Sequence, residues 1–335
     1  MRTFVTGGTG FIGANVVREL LSAGHQVRAL VRPKAALGNL QGLDVELVTG
    51  NLLSPDLYES LKGCDALFHV AAHYSLAQAD RDSLYRSNVE GTRNILAAAR
   101  RAGVERSVYT SSVAAIGVPA QGQVADESHQ TNVEKLVGHY KKSKFLAEQV
   151  AQEAAAGQHV VIVNPSSPLG PWDAKPTPTG DIVLRFLRGQ MPFYLDTGLN
   201  FVHVRDVAQG HLLALERGKS GERYILGHEN LSLKALLDRL EALTGLRAPQ
   251  RSVPHWLPLS VAWLDERLLS PLLGKSTSVP IDGVRMSQSY MYYSPAKAVR
   301  ELGLPQTPLD IALKDAVAWF VEKGYCQLPQ SQTRI

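Results

Sequence analysis

The chain has 335 residues, 44% of them hydrophobic and 20% charged, with a formal charge of +4. That is enough chain for a full hydrophobic core in roughly two domains or one large α/β unit, and the composition is that of an ordinary soluble globular protein. The small positive charge forms no Lys/Arg stripe with interleaved aromatics, which excludes nucleic acid as the expected partner and leaves a small-molecule substrate.

In chain order, residues 3–6 read as a strand, 13–23 as a helix, 26–31, 45–48 and 66–70 as strands, and 83–102 as a helix. Strand 107–111, helix 133–155 and strand 160–164 continue the alternation. Apolar strands alternating with amphipathic helices predict a parallel sheet covered on both faces, a doubly wound Rossmann fold of the α/β class. After a Pro-rich loop at 165–178 come helices at 179–188, 206–216 and 233–244. We therefore expect an NAD(P)-binding domain over residues 1–165 and a smaller, mainly substrate-binding domain over 166–330, with about 199–217 returning to the first. The opening MRTFVTGG lacks the charged and apolar stretches of an export signal. Segment 253–273 is apolar but interrupted by Asp265, Glu266, Arg267 and prolines, so it predicts a packed helix pair rather than a membrane span, with a lipid-facing surface as the alternative. The two cysteines, Cys64 and Cys326, have neither metal-ligand spacing nor a disulfide framework. Together these features predict a cytoplasmic protein, at most peripheral to the membrane, with no metal site.

Gly7, Gly10 and Gly13 lie between the first strand and the first helix, in Thr6-Gly7-Gly8-Thr9-Gly10-Phe11-Ile12-Gly13. There the first glycine permits the tight turn, the second admits a pyrophosphate to the backbone, and the third lets helix and strand pack closely. Gly7, Thr9, Gly10, Phe11, Ile12 and Gly13 are thus candidate dinucleotide contacts. The second strand ends in Arg32, with no Asp or Glu up to Ala36. A carboxylate there would bind the ribose of NAD, whereas a guanidinium suits a 2′-phosphate, so NADP(H) is the expected cofactor and NAD(H) the alternative. Asn51 and Leu52 follow the third strand, where a side-chain acceptor reaches the adenine, and Val70, Ala71 and Ala72 follow the fourth, where small residues let the cofactor lie against the backbone.

Ser111 and Ser112 end the fifth strand at the carboxyl edge of the sheet, where ligands of this fold sit. Tyr140 and Lys144 are one helical turn apart, so phenol and ammonium share a face, and a nearby ammonium is expected to lower the phenol's pKa. Glycine loop, strand-end serine and Y-x-x-x-K together resemble the extended short-chain dehydrogenase/reductase superfamily over nearly the whole chain. The resemblance implies Ser112 as the hydroxyl orienting the substrate oxygen, Tyr140 as acid/base, Lys144 as the ribose-binding ammonium that tunes it, and Asn88 as the asparagine supporting the site. The segments FHVAAHY, NVEGTRN, VIVNPSSPLGPWDAKPTPTG, DTGLNFVHVRDVAQGHLLALERG and GERYILGHENLSL are similar to the hopanoid-associated sugar epimerases, and more weakly to the dihydroflavonol 4-reductase and 3-beta-hydroxysteroid dehydrogenase groups. That likeness implies a sugar-like or hopanoid-linked substrate.

Two positions depart from the family pattern. Asn51 replaces a common Asp, and Leu199 stands where nucleotide-sugar 4-epimerases place an arginine on the diphosphate; Arg285 is the alternative second-domain cation. Pro165 and Ser167 are expected beside the cofactor, and His73, Tyr74, Ser112, Asn164, Thr179 and Arg285 beside the substrate, with helix capping the alternative role for Thr179 and an N-cap for Asp206. The expected reaction is hydride transfer at a secondary alcohol or ketone, NADP(H)-linked. The alternatives are an epimerase that retains NAD and a non-catalytic dinucleotide sensor. The helices at 83–102 and 133–155 resemble those that pair in superfamily homodimers.

Overall fold

The structure is a computed structural model that describes residues 1–254, 256, 259–260 and 281–328. Six short, largely apolar strands come first: β1 (Arg2–Thr6), β2 (Gln26–Val31), β3 (Val45–Thr49), β4 (Ala66–His69), β5 (Arg106–Thr110) and β6 (His159–Pro165). They are followed by β7 (Ser167–Leu169), β8 (Tyr194–Leu195), β9 (Gly198–His203), β10 (Arg223–Leu226), β11 (Glu229–Ser232), β12 (Ser252–Val253) and β13 (Tyr290–Met291). The main sheet is parallel, in the order β10-β6-β5-β4-β1-β2-β3. Its order reverses between β1 and β4, which opens a crevice at the carboxyl ends of those strands. Every residue of β4 and the central residues of β1, β5 and β6 are buried, as helices on both faces require.

Helix Phe11–Ser22 buries Val16, Val17 and Leu20 on one face of the sheet, beside helix Val204–Arg217. Helices Gly91–Arg101 and His139–Ala154 cover the other face through Ile95, Leu96, Ala147 and Ala151. A small sheet, β11-β9-β13 with β7 on β9, forms the second half. Phe201 from its β9 packs with Leu184, Leu236, Leu240, Leu313 and Phe320 of the helices Pro178–Leu187, Leu233–Thr244 and Leu309–Glu322.

The sequence reading needs four corrections here. Of the stretch 199–217, only the helix returns to the first half; β9 pairs in the small sheet, because its partners β7, β11 and β13 lie there. The seventh strand of the main sheet is instead β10, far beyond the expected boundary at 165. The helix expected at 83–102 is broken by a π-helical turn at Arg86–Glu90. The helix expected from 133 begins only at His139, since Gly138 has φ +82, a left-handed conformation that ends any preceding helix. Most of segment 253–273 lies outside the described residues. Among the described residues no helix is long and apolar enough to cross a membrane, and no cluster of His, Cys, Asp and Glu is placed to hold a metal ion.

Candidate active site

The glycine loop is packed too closely for side chains. Gly7 has φ +75, and a Cβ there would lie 2.6 Å from the Ala71 nitrogen; a Cβ on Gly13 would fall on the Gly7 carbonyl oxygen. Gly10 sits at the N-cap of helix Phe11–Ser22 and supplies no side-chain acceptor, so the first-turn amides remain available to an anion. Val70 and Ala71 donate their amides to the Thr6 carbonyl and hydroxyl, each at 3.2 Å, which holds the end of β4 beside the loop. This cradle fits a dinucleotide pyrophosphate. Arg32 is exposed at the end of β2. Asn51 follows β3, and its Oδ1 accepts the Leu53 amide at 2.8 Å, closing its own turn, because a short amide side chain after a strand bonds most readily two residues on.

Ser112 leaves β5 and caps the short helix Val113–Ile116, its Oγ accepting the Ala114 amide at 3.1 Å. Tyr140 and Lys144 stand in the first turns of helix His139–Ala154. The ammonium of Lys144 donates to the Thr110 carbonyl at 2.8 Å and the Tyr109 hydroxyl at 3.2 Å. It is directed under the end of β5 rather than at the phenol. Burial therefore dominates Tyr140 and pushes it up to about 12, with only Ser112 opposing; the expected lowering by Lys144 is not found. Burial likewise pulls Lys144 down to about 8, with Glu148 opposing. A protonated phenol beside a serine hydroxyl at the sheet's carboxyl edge is equipped to donate a proton to an oxygen held between them.

Residues 3–227 match the family model described as the NAD dependent epimerase/dehydratase family. The chain belongs to that family. Over 327 residues it is 63% identical to a Synechocystis sp. protein with a provisional dihydroflavonol 4-reductase name, covering 96% of this chain and 95% of the relative. It is 38% identical to sterol demethylase protein B of Methylococcus capsulatus, covering 97% and 99%. A solved nucleoside-diphosphate-sugar epimerase, PA4631 of Pseudomonas aeruginosa, superposes with a TM-score of 0.81 at 27% identity, covering 98% of this chain and 99% of that one. The protein is an enzyme of the extended short-chain dehydrogenase/reductase superfamily, a reductase or epimerase by kind.

Within this family member, the π-turn at Arg86–Glu90 carries Asn88 inward. Asn88 Oδ1 accepts the His73 amide at 2.7 Å, and its Nδ2 donates to the His73 carbonyl and to Ser143 Oγ, each at 2.9 Å. Ser143 in turn donates to the Tyr140 carbonyl at 2.8 Å, so one buried amide joins the loop after β4 to the turn bearing Tyr140. Tyr74 packs edge-on against Tyr140 with centroids 4.6 Å apart and is 43% exposed. The His73 ring bonds the Ser83 hydroxyl at 3.1 Å. Asn164, at the end of β6, is fully buried; its Nδ2 donates to the Ser112 carbonyl at 3.0 Å and to Glu148 at 2.7 Å.

Pro165 closes β6 against Leu226, and Ser167 opens β7. Thr179 is buried within helix Pro178–Leu187, whose cap is Thr177, so the capping role falls two residues earlier because Thr177 is the residue with extended backbone. The cap of helix Val204–Arg217 is His203, not Asp206; the Asp206 carboxylate instead takes the Thr307 amide and hydroxyl, each at 2.7 Å. Arg285 is exposed and pairs with Asp282 at 3.7 Å. Leu199 packs against the core of the second half.

Sequence reasoning missed Glu148, which is 3% exposed and joins Asn164 to Arg223, 3.2 Å from its Oε1. Its spacing, one turn beyond Lys144, was the available signal. It also missed the clamp on the glycine loop. There Asn15 and Asn39 donate to the carbonyls of Pro171 and Trp172 at 3.1 and 3.0 Å, and the Arg18 guanidinium lies 3.5 Å over the Trp172 ring.

Proposed function

We propose that this protein transfers hydride between a nicotinamide cofactor and a secondary alcohol or ketone, with NADP(H) preferred and released after each turnover. The observation that carries the reading is the meeting of Ser112, Tyr140 and Lys144 at the carboxyl edge of β5, within the crevice that the glycine loop opens. The nicotinamide supplies or accepts the hydride when bound. Ser112 Oγ holds the substrate oxygen. Tyr140, kept protonated by burial, delivers its proton to that oxygen in reduction. Lys144, one turn further along the helix and bonded to the Thr110 carbonyl, is the cation that binds the ribose.

Exposed Arg32 at the end of β2, with no acidic neighbour, supports NADP(H). Leu199, packed into the second core, supports a substrate without a nucleotide diphosphate. The sterol name among the relatives supports a lipid-linked substrate of hopanoid type, and the nucleotide-sugar name supports a sugar-like part. We expect a homodimer joined through helices Gly91–Arg101 and His139–Ala154. Tyr140→Phe is expected to lower turnover by about 10²–10⁴-fold with cofactor affinity retained; unchanged biological activity in that variant would rule out chemistry as the function.

A second reading, an epimerase that keeps NAD through both half-reactions, is favoured by the family model and by the epimerase neighbour. The cofactor that copurifies discriminates. Freely exchanging NADP(H) supports the reductase, and tightly retained NAD supports the epimerase.

A further inference from the structure

Two buried asparagines tie the glycine loop to the loop after β7, and each divides its Nδ2 protons in the same way. Asn39 donates to the Thr9 carbonyl at 3.1 Å and to the Trp172 carbonyl at 3.0 Å. Asn15 donates to the Phe11 carbonyl at 2.9 Å and to the Pro171 carbonyl at 3.1 Å. Both residues are shielded from water, which strengthens these bonds. In a trans peptide the carbonyl and the following amide point in opposite directions. Holding the Phe11 carbonyl therefore aims the Ile12 amide out of the helix start, towards the pyrophosphate cradle.

The connection continues into the second half. The Trp172 ring lies 3.5 Å from the Arg18 guanidinium and 5.9 Å from the ammonium of Lys323, which ends helix Leu309–Glu322. Its neighbour Asp173 is buried and accepts the amide and hydroxyl of Thr177, the cap of helix Pro178–Leu187. A Cβ on Gly180 would fall on the Asp173 carboxylate, so the loop and that helix are packed without a gap. Trp172 itself keeps φ +77, which a bulky residue relieves once its restraints are released. The segment thus has a held and a released arrangement.

We propose that Asn15, Asn39 and Trp172 are positioning residues that couple cofactor binding to the start of helix Pro178–Leu187, so that an occupied glycine loop fixes the substrate half. This rests on the reading of the glycine loop as a dinucleotide site. A bound pyrophosphate steadies the Thr9 and Phe11 peptides, the shared asparagine amides then hold Pro171 and Trp172, and Asp173 holds Thr177. Because the cofactor binds the held arrangement better, it offsets the strain at Trp172 and shifts the population towards that arrangement.

The test is amide hydrogen exchange of the whole protein without nucleotide, with saturating NADPH and, separately, with saturating NADH. In wild type the nucleotide that binds is expected to slow exchange about fivefold or more, both in the first turn of helix Phe11–Ser22 and in helix Pro178–Leu187. Helix Ala296–Leu302, which the connection does not reach, should change less. Asn39→Ala and, independently, Trp172→Ala are expected to keep the protection of the first helix and to lose that of helix Pro178–Leu187. Trp172→Phe, which keeps a ring beside Arg18, should retain both. A loop that merely braces the fold would leave helix Pro178–Leu187 in both alanine variants still protected by nucleotide, and that result overturns the proposal. Wild-type protection confined to the first helix overturns it as well, with the cofactor reading intact, whereas protection of neither segment overturns both.

Discussion

Glu148 shows how much of the candidate site is held from behind. Its two oxygens reach Asn164 and Arg223, Asn164 holds the Ser112 carbonyl, and its charge raises Lys144 against the pull of burial. Glu148→Gln keeps the shape and removes the charge. Weakening a hydrogen bond to a charged group costs about 1.5 kcal/mol, roughly tenfold in kcat/KM. Without Glu148 the pKa of Lys144 falls further, so the alkaline limb of the pH–rate profile should move to lower pH; an unmoved limb would deny Glu148 this role. His69, between Thr6 Oγ1 at 2.7 Å and Thr92 Oγ1 at 3.0 Å, is pulled down to about 3 by burial, and His211 to about 4. Both folded values lie below the unfolded 6.5, so the unfolded chain binds more protons in that window. Stability is full above pH 6.5 and is lost as pH falls towards 4, by about 2 kcal/mol per histidine at pH 5. Denaturant midpoints at pH 7.5 and 5 should show this loss, and the double variant His69→Gln with His211→Gln should lose less.

At the scale of single elements, turns matter more than helix or strand propensity. Gly13→Ala would drive a methyl group into the Gly7 carbonyl and separate the first helix from its strand. Cofactor affinity is expected to fall more than tenfold in a titration, while the rest of the protein stays folded. The loop after β7 is held differently: Trp172 has φ +77, a conformation disfavoured for a bulky residue, and Asn15, Asn39 and Arg18 keep it there. The same loop ends at Thr177, whose amide and hydroxyl both bond to Asp173, and whose hydroxyl caps helix Pro178–Leu187. Thr177→Ala should cost about 1 kcal/mol in denaturant unfolding, as loss of a cap does. An unchanged midpoint would show that Asp173 alone secures that helix start.

Across the whole molecule the two halves are not separable pieces of chain. Val161 and Val163 of β6 pack with Tyr224 and Leu226 of β10 and with Val207, Ala208 and Leu215 of helix Val204–Arg217, and Asp206 bonds Thr307 across the halves. A fragment of residues 1–165 would leave that apolar face open, and we expect it to show no cooperative thermal transition where the intact chain shows one. The alternation of strands and helices, the glycine loop, and the spacing of Tyr140 and Lys144 were legible in the sequence because each depends on neighbours within a few residues. The return of β10, the pairing of β9 with the small sheet and the contacts of Asn88 and Glu148 were not, since they join residues that are distant in the chain. The sequence by itself thus determined the fold class and which side chains carry the proposed chemistry, through local periodicity and turn geometry. Only the tertiary structure decided their electrostatics: burial keeps Tyr140 protonated, and the end of β5 takes up the Lys144 ammonium. Desolvation and long-range pairing have no signature in residue order, because both depend on what the rest of the chain brings to the same place.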